Sequence, residues 1–148
     1  MLEILQLKIS PNGFERLSQR LLRESGFTKV EVTGKKSDGG IDGIGILEIN
    51  PLLSFKVLFQ CKRYKGAVTP SEVRDFRGAM QGRADKGLFL TTGSFTQEAR
   101  KEAIRDGADP IELIDGNKLI EMFERLKLGL RPKTTFELDI NFFDDYME

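Results

Sequence analysis

The chain has 148 residues, 39% hydrophobic and 31% charged, so it is long enough to bury a core and has an ordinary globular composition. It contains no histidine and one cysteine, Cys61, which excludes Ser-His-Asp and Cys-His catalysis, His-ligated metal sites and internal disulfides. Any hydrolytic chemistry must therefore use carboxylates, lysine and a hard cation with oxygen ligands, for which Mg²⁺ is the natural candidate.

Charge is balanced overall, with 23 basic and 23 acidic residues, but it is unevenly distributed. Residues 136–148 contain five acidic and no basic residues, so residues 1–135 carry a net charge of +5. A basic body with an acidic tail favours a polyanionic partner. The chain begins without the basic start of a signal peptide, and no apolar run approaches the ~18 residues that span a bilayer, so we expect a cytoplasmic protein.

The first predicted element is a helix. Ser10 is a suitable N-cap, Pro11 fits the first helical position, and Gly26 suits the C-terminal end. The helical period between them places Glu15 at the margin of the apolar stripe, not on the open solvent face. A carboxylate there serves either as a solvated ion-pair partner or as an acid at the edge of a functional site.

Three adjacent strands are predicted next, over residues 27–33, 41–49 and 55–62. The turn-rich loop between the first two carries Lys35 and Lys36.

Downstream, helices and strands alternate. Thr69 and Glu72 form a capping box that opens a helix ending near Gly82. The next helix is capped by Ser94 or Thr96. Two more strands are predicted at residues 87–92 and 111–114, and they alternate with helices at residues 94–104 and 115–126. This order predicts an α/β fold with a central mixed five-stranded sheet, antiparallel at first and parallel later, with helices over both faces.

The most informative stretch is the end of the third strand. Period-two alternation places Gln60 and Lys62 on one face, whereas the opposite face, which includes Cys61 as a small core residue, is wholly apolar. The strand is therefore predicted to be central, where burial makes an idle lysine costly. If it pairs with the preceding strand as a hairpin, Asp42 lies beside Gln60 and Lys62. A carboxylate, an amide oxygen and an ammonium at one sheet end form a candidate Mg²⁺ and phosphate site.

Five short motifs follow one another along the chain: Phe14-Glu15, Asp38-Gly39-Gly40-Ile41-Asp42-Gly43, Phe59-Gln60-Cys61-Lys62-Arg63-Tyr64, Leu90-Thr91-Thr92-Gly93-Ser94-Phe95-Thr96 and Ile114-Asp115-Gly116. In this order they resemble the catalytic domain of Mrr-type restriction endonucleases, a group of the PD-(D/E)xK nuclease superfamily. The resemblance, which covers roughly residues 12–127, implies a restriction-endonuclease-like three-layer α-β-α domain, which we expect over residues 1–130. The break at Arg131-Pro132 and the charge pattern predict an acidic C-terminal tail over residues 131–148.

The resemblance also implies roles for individual residues. Asp42 matches the metal-binding aspartate, Lys62 the catalytic lysine, and Glu15 the acidic residue that the first helix adds to the metal site. Gln60 stands where the broad superfamily has Asp or Glu, and the Mrr group is similar to this chain in using Gln. The backbone carbonyl of Cys61 is the expected additional metal ligand.

The implied function is Mg²⁺-dependent hydrolysis of DNA phosphodiester bonds, by a homodimer that cuts both strands. Phosphate contacts are expected from the basic residues around the site, namely Lys35, Lys36, Arg63, Lys65, Arg74 and Arg77. Two alternatives remain open. One is a structure-specific nuclease similar to a Holliday-junction resolvase. The other is a DNA-binding subunit that has kept the fold and lost catalysis, which the neutral Gln60 leaves open although the set is otherwise intact.

Overall fold

The computed structural model describes residues 1–32 and 41–147. Its helices are α1 (Pro11–Glu24), α2 (Pro70–Met80), α3 (Gln97–Ala103), α4 (Gly116–Leu126) and α5 (Ile140–Phe143), with a π-helical turn at Ile4–Lys8 and a 3₁₀ turn at Asp144–Tyr146. Its strands are β1 (Phe27–Val32), β2 (Gly43–Asn50), β3 (Leu53–Lys62), β4 (Ala67–Val68), β5 (Lys86–Thr91), β6 (Ser94–Phe95) and β7 (Ile111–Ile114).

The main sheet has five strands in the order β1-β2-β3-β5-β7. The β1–β2 and β2–β3 pairs are antiparallel, whereas β3–β5 and β5–β7 are parallel. The antiparallel pairs join strands adjacent in sequence, and each parallel pair needs a helical crossover, by α2 or by α3. The predicted mixed sheet is confirmed, and β3 is its central strand.

The predicted helix ends are confirmed at most positions. The Ser10 hydroxyl accepts from the amide of Gly13 at 2.9 Å, and both hydrogen bonds of the capping box between Thr69 and Glu72 are present. Gly26 has φ +109°, a conformation that favours glycine, just after α1 ends.

One predicted helix start needed correction. Of the two caps considered, Thr96 opens α3 by accepting from the amide of Ala99 at 3.0 Å. Ser94 instead belongs to β6, which pairs in parallel with β4 as a separate two-stranded sheet. Two-residue strands are too short to show a periodicity of two, so this small sheet has no signal in the sequence.

The core has two apolar layers, one on each face of the main sheet. Leu58 faces the layer under α2 and α3, whereas its neighbour Phe59 faces the layer under α1 and α4, and both are fully buried. In the first layer, Phe89 makes edge-to-face contacts with Phe76 and Phe95, at centroid distances of 5.8 and 5.6 Å. Alternation along β3 therefore produces the predicted three-layer α-β-α arrangement.

After Leu130, which still packs against the layer under α1 and α4, the chain leaves the core. Residues 131–139 have no helix or strand and precede the short α5. The large apolar side chains exposed between residue 131 and residue 147 are Phe136, Leu138, Ile140, Phe142, Phe143, Tyr146 and Met147. Across the part of the chain described, none of the helices has the length and apolar character needed to cross a membrane.

Candidate active site

The carboxyl ends of β3 and β5 lie side by side because these strands are parallel. Two buried threonines fix the backbone here. The Thr91 hydroxyl donates to the carbonyl of Lys62 at 2.8 Å. The Thr92 hydroxyl donates to the carbonyl of Tyr64 at 2.8 Å and accepts from its amide at 2.7 Å. The end of β3 is therefore held in place where the functional side chains are expected.

Asp42 lies just before β2 and reaches across to this end of β3. Its amide donates to the carbonyl of Phe59 at 2.9 Å, and its carboxylate accepts from the amide of Cys61 at 2.5 Å. The next residue is Gly43, where an added Cβ would overlap the Phe59 ring and the carbonyl oxygen of Glu31. The absence of a side chain at this position lets the two strands stay close enough for the Asp42 contact.

Glu15, half-buried on α1, lies beside Asp42. Burial raises the pKa of the Asp42 carboxyl from 3.8 to about 6, and the hydrogen bond from the Cys61 amide opposes this shift. The negative charge of Glu15 and its hydrogen bond with Asp42 raise the Asp42 pKa further. Two carboxyl groups from different elements are therefore brought together, and ionisation of Asp42 is disfavoured.

Lys62, the last residue of β3, points its ammonium at a carboxylate on another element. Its Nζ forms an ion pair with Oε1 of Glu72, in the first turn of α2. The same Nζ lies 4.4 Å from the centroid of the Tyr64 ring, within the range of a cation–π contact. Glu72 and Tyr64 therefore border the lysine on two sides.

Gln60 and Cys61 lie on β3 between the Glu15–Asp42 pair and the Lys62–Glu72 pair. Gln60 is half-buried and pairs with Phe89 through the backbone; among the described residues its side chain makes no hydrogen bond to Glu15, Asp42 or Lys62. Cys61 packs against the layer under α1 and α4, as expected for a core residue, and burial raises the pKa of its thiol. A neutral thiol is a poor ligand for a hard cation, so the backbone carbonyl is the donor atom of this residue that suits Mg²⁺.

The donor set suits a hard cation. Within residues 1–32 and 41–147, no three Asp, Glu, Cys or His side chains converge on one point, so Glu15 and Asp42 form a pair without a third acidic partner. A divalent cation would offset both the burial of the Asp42 carboxylate and the negative charge of Glu15, which together raise the Asp42 pKa. Gln60, in the position of the usual third acid, is able to add an amide oxygen, so these residues fit Mg²⁺ with oxygen ligands and a charge one unit less negative than a three-carboxylate site.

The basic residues expected to contact DNA have different environments. Lys65 is exposed, and the side chain of Arg74 is 52% exposed. Arg63 is half-buried and donates through Nη1 to the carbonyl of Gln6 at 2.6 Å. Lys35 and Lys36, also expected to contact DNA, lie outside the described residues.

Arg77 corrects the sequence-based expectation. It is only 5% exposed, and its guanidinium binds the carboxylate of Glu102 at 2.8 Å and the carbonyl of Asp109 at 3.0 Å. These bonds use its donors inside the protein, so it is unavailable to a DNA phosphate. The helical period of α2 places Arg77 next to the buried Phe76, but the sequence does not show that Glu102 and Asp109 lie opposite.

Glu72 was recognised in the sequence only as part of a capping box. Its contact with Lys62 arises because α2 begins near the end of β3 and lies over the face that Lys62 shares with Leu58. The signal for this contact in the sequence is the separation of only 10 residues between Lys62 and Glu72. A carboxylate in the first turn of a helix that crosses over a strand remains near that strand's carboxyl end.

Solved structures define the class of the fold. The DNA modification-dependent restriction endonuclease AspBHI matches 87% of this chain and 35% of its own, with a TM-score of 0.74 and 23% identity. The MspJI restriction endonuclease, solved in complex with a 27-mer oligonucleotide, matches 76% of this chain and 27% of its own, with a TM-score of 0.59 and 28% identity. The fold is therefore that of restriction endonucleases of the PD-(D/E)xK type.

Sequence comparison then defines the family. The family model for the restriction endonuclease domain Mrr_cat matches residues 6–123. The type IV methyl-directed restriction enzyme EcoKMrr of Escherichia coli strain K12 is 30% identical over 145 residues, 93% of this chain and 46% of that protein. The uncharacterized mitochondrial protein C824.03c of Schizosaccharomyces pombe is 35% identical over 92 residues, 60% of this chain and 37% of that protein. The chain therefore belongs to the Mrr-type restriction endonuclease family.

Membership of the Mrr-type family indicates the general reaction that this domain catalyses. Its enzymes are nucleases that hydrolyse phosphodiester bonds in DNA and generally depend on a divalent metal ion. The chain spans less than half the length of the two curated relatives it matches.

Proposed function

We propose that this chain is a Mg²⁺-dependent DNA endonuclease domain whose catalytic residues are Glu15, Asp42, Gln60 and Lys62. The observation that supports this most directly is the hydrogen bond from the Cys61 amide to the Asp42 carboxylate. It holds one acid against the segment of β3 that carries both Gln60 and Lys62. Glu15 lies beside that acid, so residues from three parts of the sequence contribute to the proposed site.

Phosphodiester hydrolysis needs a water aligned with the leaving oxygen and stabilisation of the charge that develops on the phosphoryl oxygens. The carboxylates of Glu15 and Asp42, the Gln60 amide oxygen and the Cys61 carbonyl are the proposed metal ligands. Mg²⁺, when bound, supplies Lewis-acid stabilisation of negative charge on the phosphate. The Lys62 ammonium donates hydrogen bonds to a phosphoryl oxygen or to the attacking water. Because Gln60 brings no charge, catalysis depends more on Lys62 than in a site with three carboxylates.

DNA binding and assembly complete the proposal. The proposed phosphate contacts are the exposed Lys65 and Arg74 together with Arg63, Lys35 and Lys36. These contacts position the duplex without reading its bases. A homodimer related by a two-fold axis would present one site to each strand, as cutting of both strands requires.

A plasmid cleavage assay tests the proposed site. We expect the purified protein to nick supercoiled plasmid with Mg²⁺, and Lys62→Ala and Asp42→Ala to lower the rate by about 10²-fold or more, because the first removes charge stabilisation of the transition state and the second a proposed metal ligand. Lys101→Ala, which truncates an exposed lysine on α3, should retain the wild-type rate. Plasmids with and without methylation serve as substrates, since one relative is described as methyl-directed.

The assay also has outcomes that contradict the proposal. Equal nicking by the wild type, Lys62→Ala and Asp42→Ala would reject the catalytic site. Binding of plasmid without cleavage, with every divalent metal tried, would favour a DNA-binding subunit instead.

A further inference from the structure

The carboxylate of Glu72 makes two contacts at once. Oε2 accepts from the Thr69 amide at 3.1 Å, which closes the capping box, while Oε1 pairs with the Lys62 ammonium. The side chains of Lys62 and Glu72 are 31% and 33% exposed, so the pair is partly shielded from water. The capping hydrogen bond fixes the carboxylate, which in turn fixes the lysine.

Other neighbours of Lys62 also restrict the position of its backbone and its ammonium. Its carbonyl accepts from the Thr91 hydroxyl at 2.8 Å and from the Thr92 amide at 3.2 Å, so its backbone is held. The Tyr64 ring lies on another side of the ammonium, at 4.4 Å. A lysine has a long flexible stem, and a group that must meet one phosphoryl oxygen needs such restraint.

Gln60 makes a charged partner for Lys62 more important. The two residues share one face of β3 by alternation, and Gln60 brings no negative charge to it. The carboxylate that meets Lys62 therefore comes from α2, not from the strand itself.

We propose that Glu72 is a positioning residue that acts through Lys62, holding the ammonium at the end of β3 where the phosphate binds. This inference rests on the proposed function of Lys62. In this role Glu72 acts by its contact with Lys62, and it is not assigned as a ligand of the metal or the phosphate.

Two substitutions separate this role from the cap. Glu72→Gln retains a side chain that serves at this position of a capping box, but it loses the charge that holds Lys62. Thr69→Ala removes the hydroxyl that caps α2 and leaves the Glu72 carboxylate in contact with Lys62. We expect Glu72→Gln to lower the single-turnover rate at saturating DNA by about tenfold or more, with DNA affinity and melting temperature near wild type. Thr69→Ala should lower the melting temperature and keep the rate within about twofold, since the positioning contact remains.

A double-mutant cycle identifies the residue through which Glu72 acts. In a Lys62→Ala background, Glu72→Gln should cause no further loss of rate, and Glu72→Asp alone should restore part of the rate lost in Glu72→Gln. An equal further loss in the Lys62→Ala background, or a higher Mg²⁺ requirement in Glu72→Gln, would overturn the inference by showing that Glu72 acts independently. A wild-type rate in Glu72→Gln together with an inactive Lys62→Ala would overturn the positioning role of Glu72 but leave the proposed catalytic role of Lys62 intact. A wild-type rate in Lys62→Ala would reject the proposed catalytic lysine as well.

Discussion

Asp42 is an ionisable residue whose surroundings oppose its ionisation. Partial burial removes solvent from its carboxylate, Glu15 adds a second negative charge, and the Cys61 amide compensates only in part, so its pKa rises to about 6. Such a group destabilises the folded protein when it is ionised. The candidate site is therefore maintained against a cost in stability, as is common where a cation is to be bound.

The raised pKa predicts how stability depends on pH. A carboxyl with a higher pKa in the folded than in the unfolded state adds to stability as pH falls from about 6 towards 3.8, because the folded protein takes up its proton first. Without divalent metal, Asp42→Asn should therefore be more stable than the wild type at pH 7, since Asn still accepts from the Cys61 amide and carries no charge. The difference in melting temperature between Asp42→Asn and the wild type should shrink as the pH is lowered through 6. A difference that is constant between pH 7 and pH 4.5 would contradict the assignment.

At the scale of single residues, the sequence predicted those positions that depend on local register. Glu15 followed from the helical period, and the location of Asp42 followed from pairing two neighbouring strands. Glu72 forms the predicted capping box, but neither its contact with Lys62 nor the burial of Arg77 followed from the sequence, for a shared reason. Their partners lie on elements whose approach is decided by packing, and the sequence of α2 alone does not contain that information.

Among the elements, α2 and α3 are joined by a buried ion pair. Arg77 on α2 and Glu102 on α3 have side chains that are 6% and 10% exposed, and Arg77 also binds the backbone at Asp109, just before β7. Arg74 reaches the same carboxylate from solvent, at 3.6 Å. Glu102 therefore links the two helices over this face of the sheet.

Two arginines one turn apart provide a matched comparison. Arg77→Ala leaves the buried Glu102 short of its main partner, so the free energy of unfolding should fall by about 3 kcal/mol, the lower end of the range because Arg74 and Arg105 remain within 4.0 Å. Arg74→Ala removes an exposed pair and should cost less than about 1 kcal/mol. Urea denaturation of both variants measures the difference. Equal losses would mean that burial does not distinguish the two arginines.

Element boundaries were predicted where the chemistry is local. N-caps such as Ser10, Thr69 and Asp115 accept from amides three residues away, so the local sequence contains both partners. The β4–β6 pair is different, because its strands are short and 27 residues apart in register. It forms where chain segments beyond the main sheet happen to run side by side, which no local pattern indicates.

On the scale of the whole molecule, the acidic tail opposes the basic body. Residues 136–148 carry five negative charges against a net +5 in the remainder of the chain. If the body binds DNA, the tail competes with phosphate or repels it at low ionic strength, when charges interact over about 30 Å at 0.01 M salt.

Removal of the tail charge should strengthen DNA binding. We expect deletion of residues 136–148 to lower the Kd for duplex DNA several-fold at low salt, with the advantage disappearing as salt is raised. A second variant with the five acids replaced by Asn or Gln keeps the exposed aromatic side chains and should behave similarly. Fluorescence anisotropy over a salt series measures both. If deletion strengthens binding and neutralisation does not, the apolar side chains, and not the charge, are responsible.

The contacts of the candidate site are close together along the chain. The Lys62–Glu72 pair spans 10 residues, the Asp42–Cys61 contact 19, and the Thr91–Lys62 contact 29. Short loops close quickly and at low entropic cost. We therefore expect the hairpin of β2 and β3 and the start of α2, which carry the Asp42–Cys61 and Lys62–Glu72 contacts, to form early in folding.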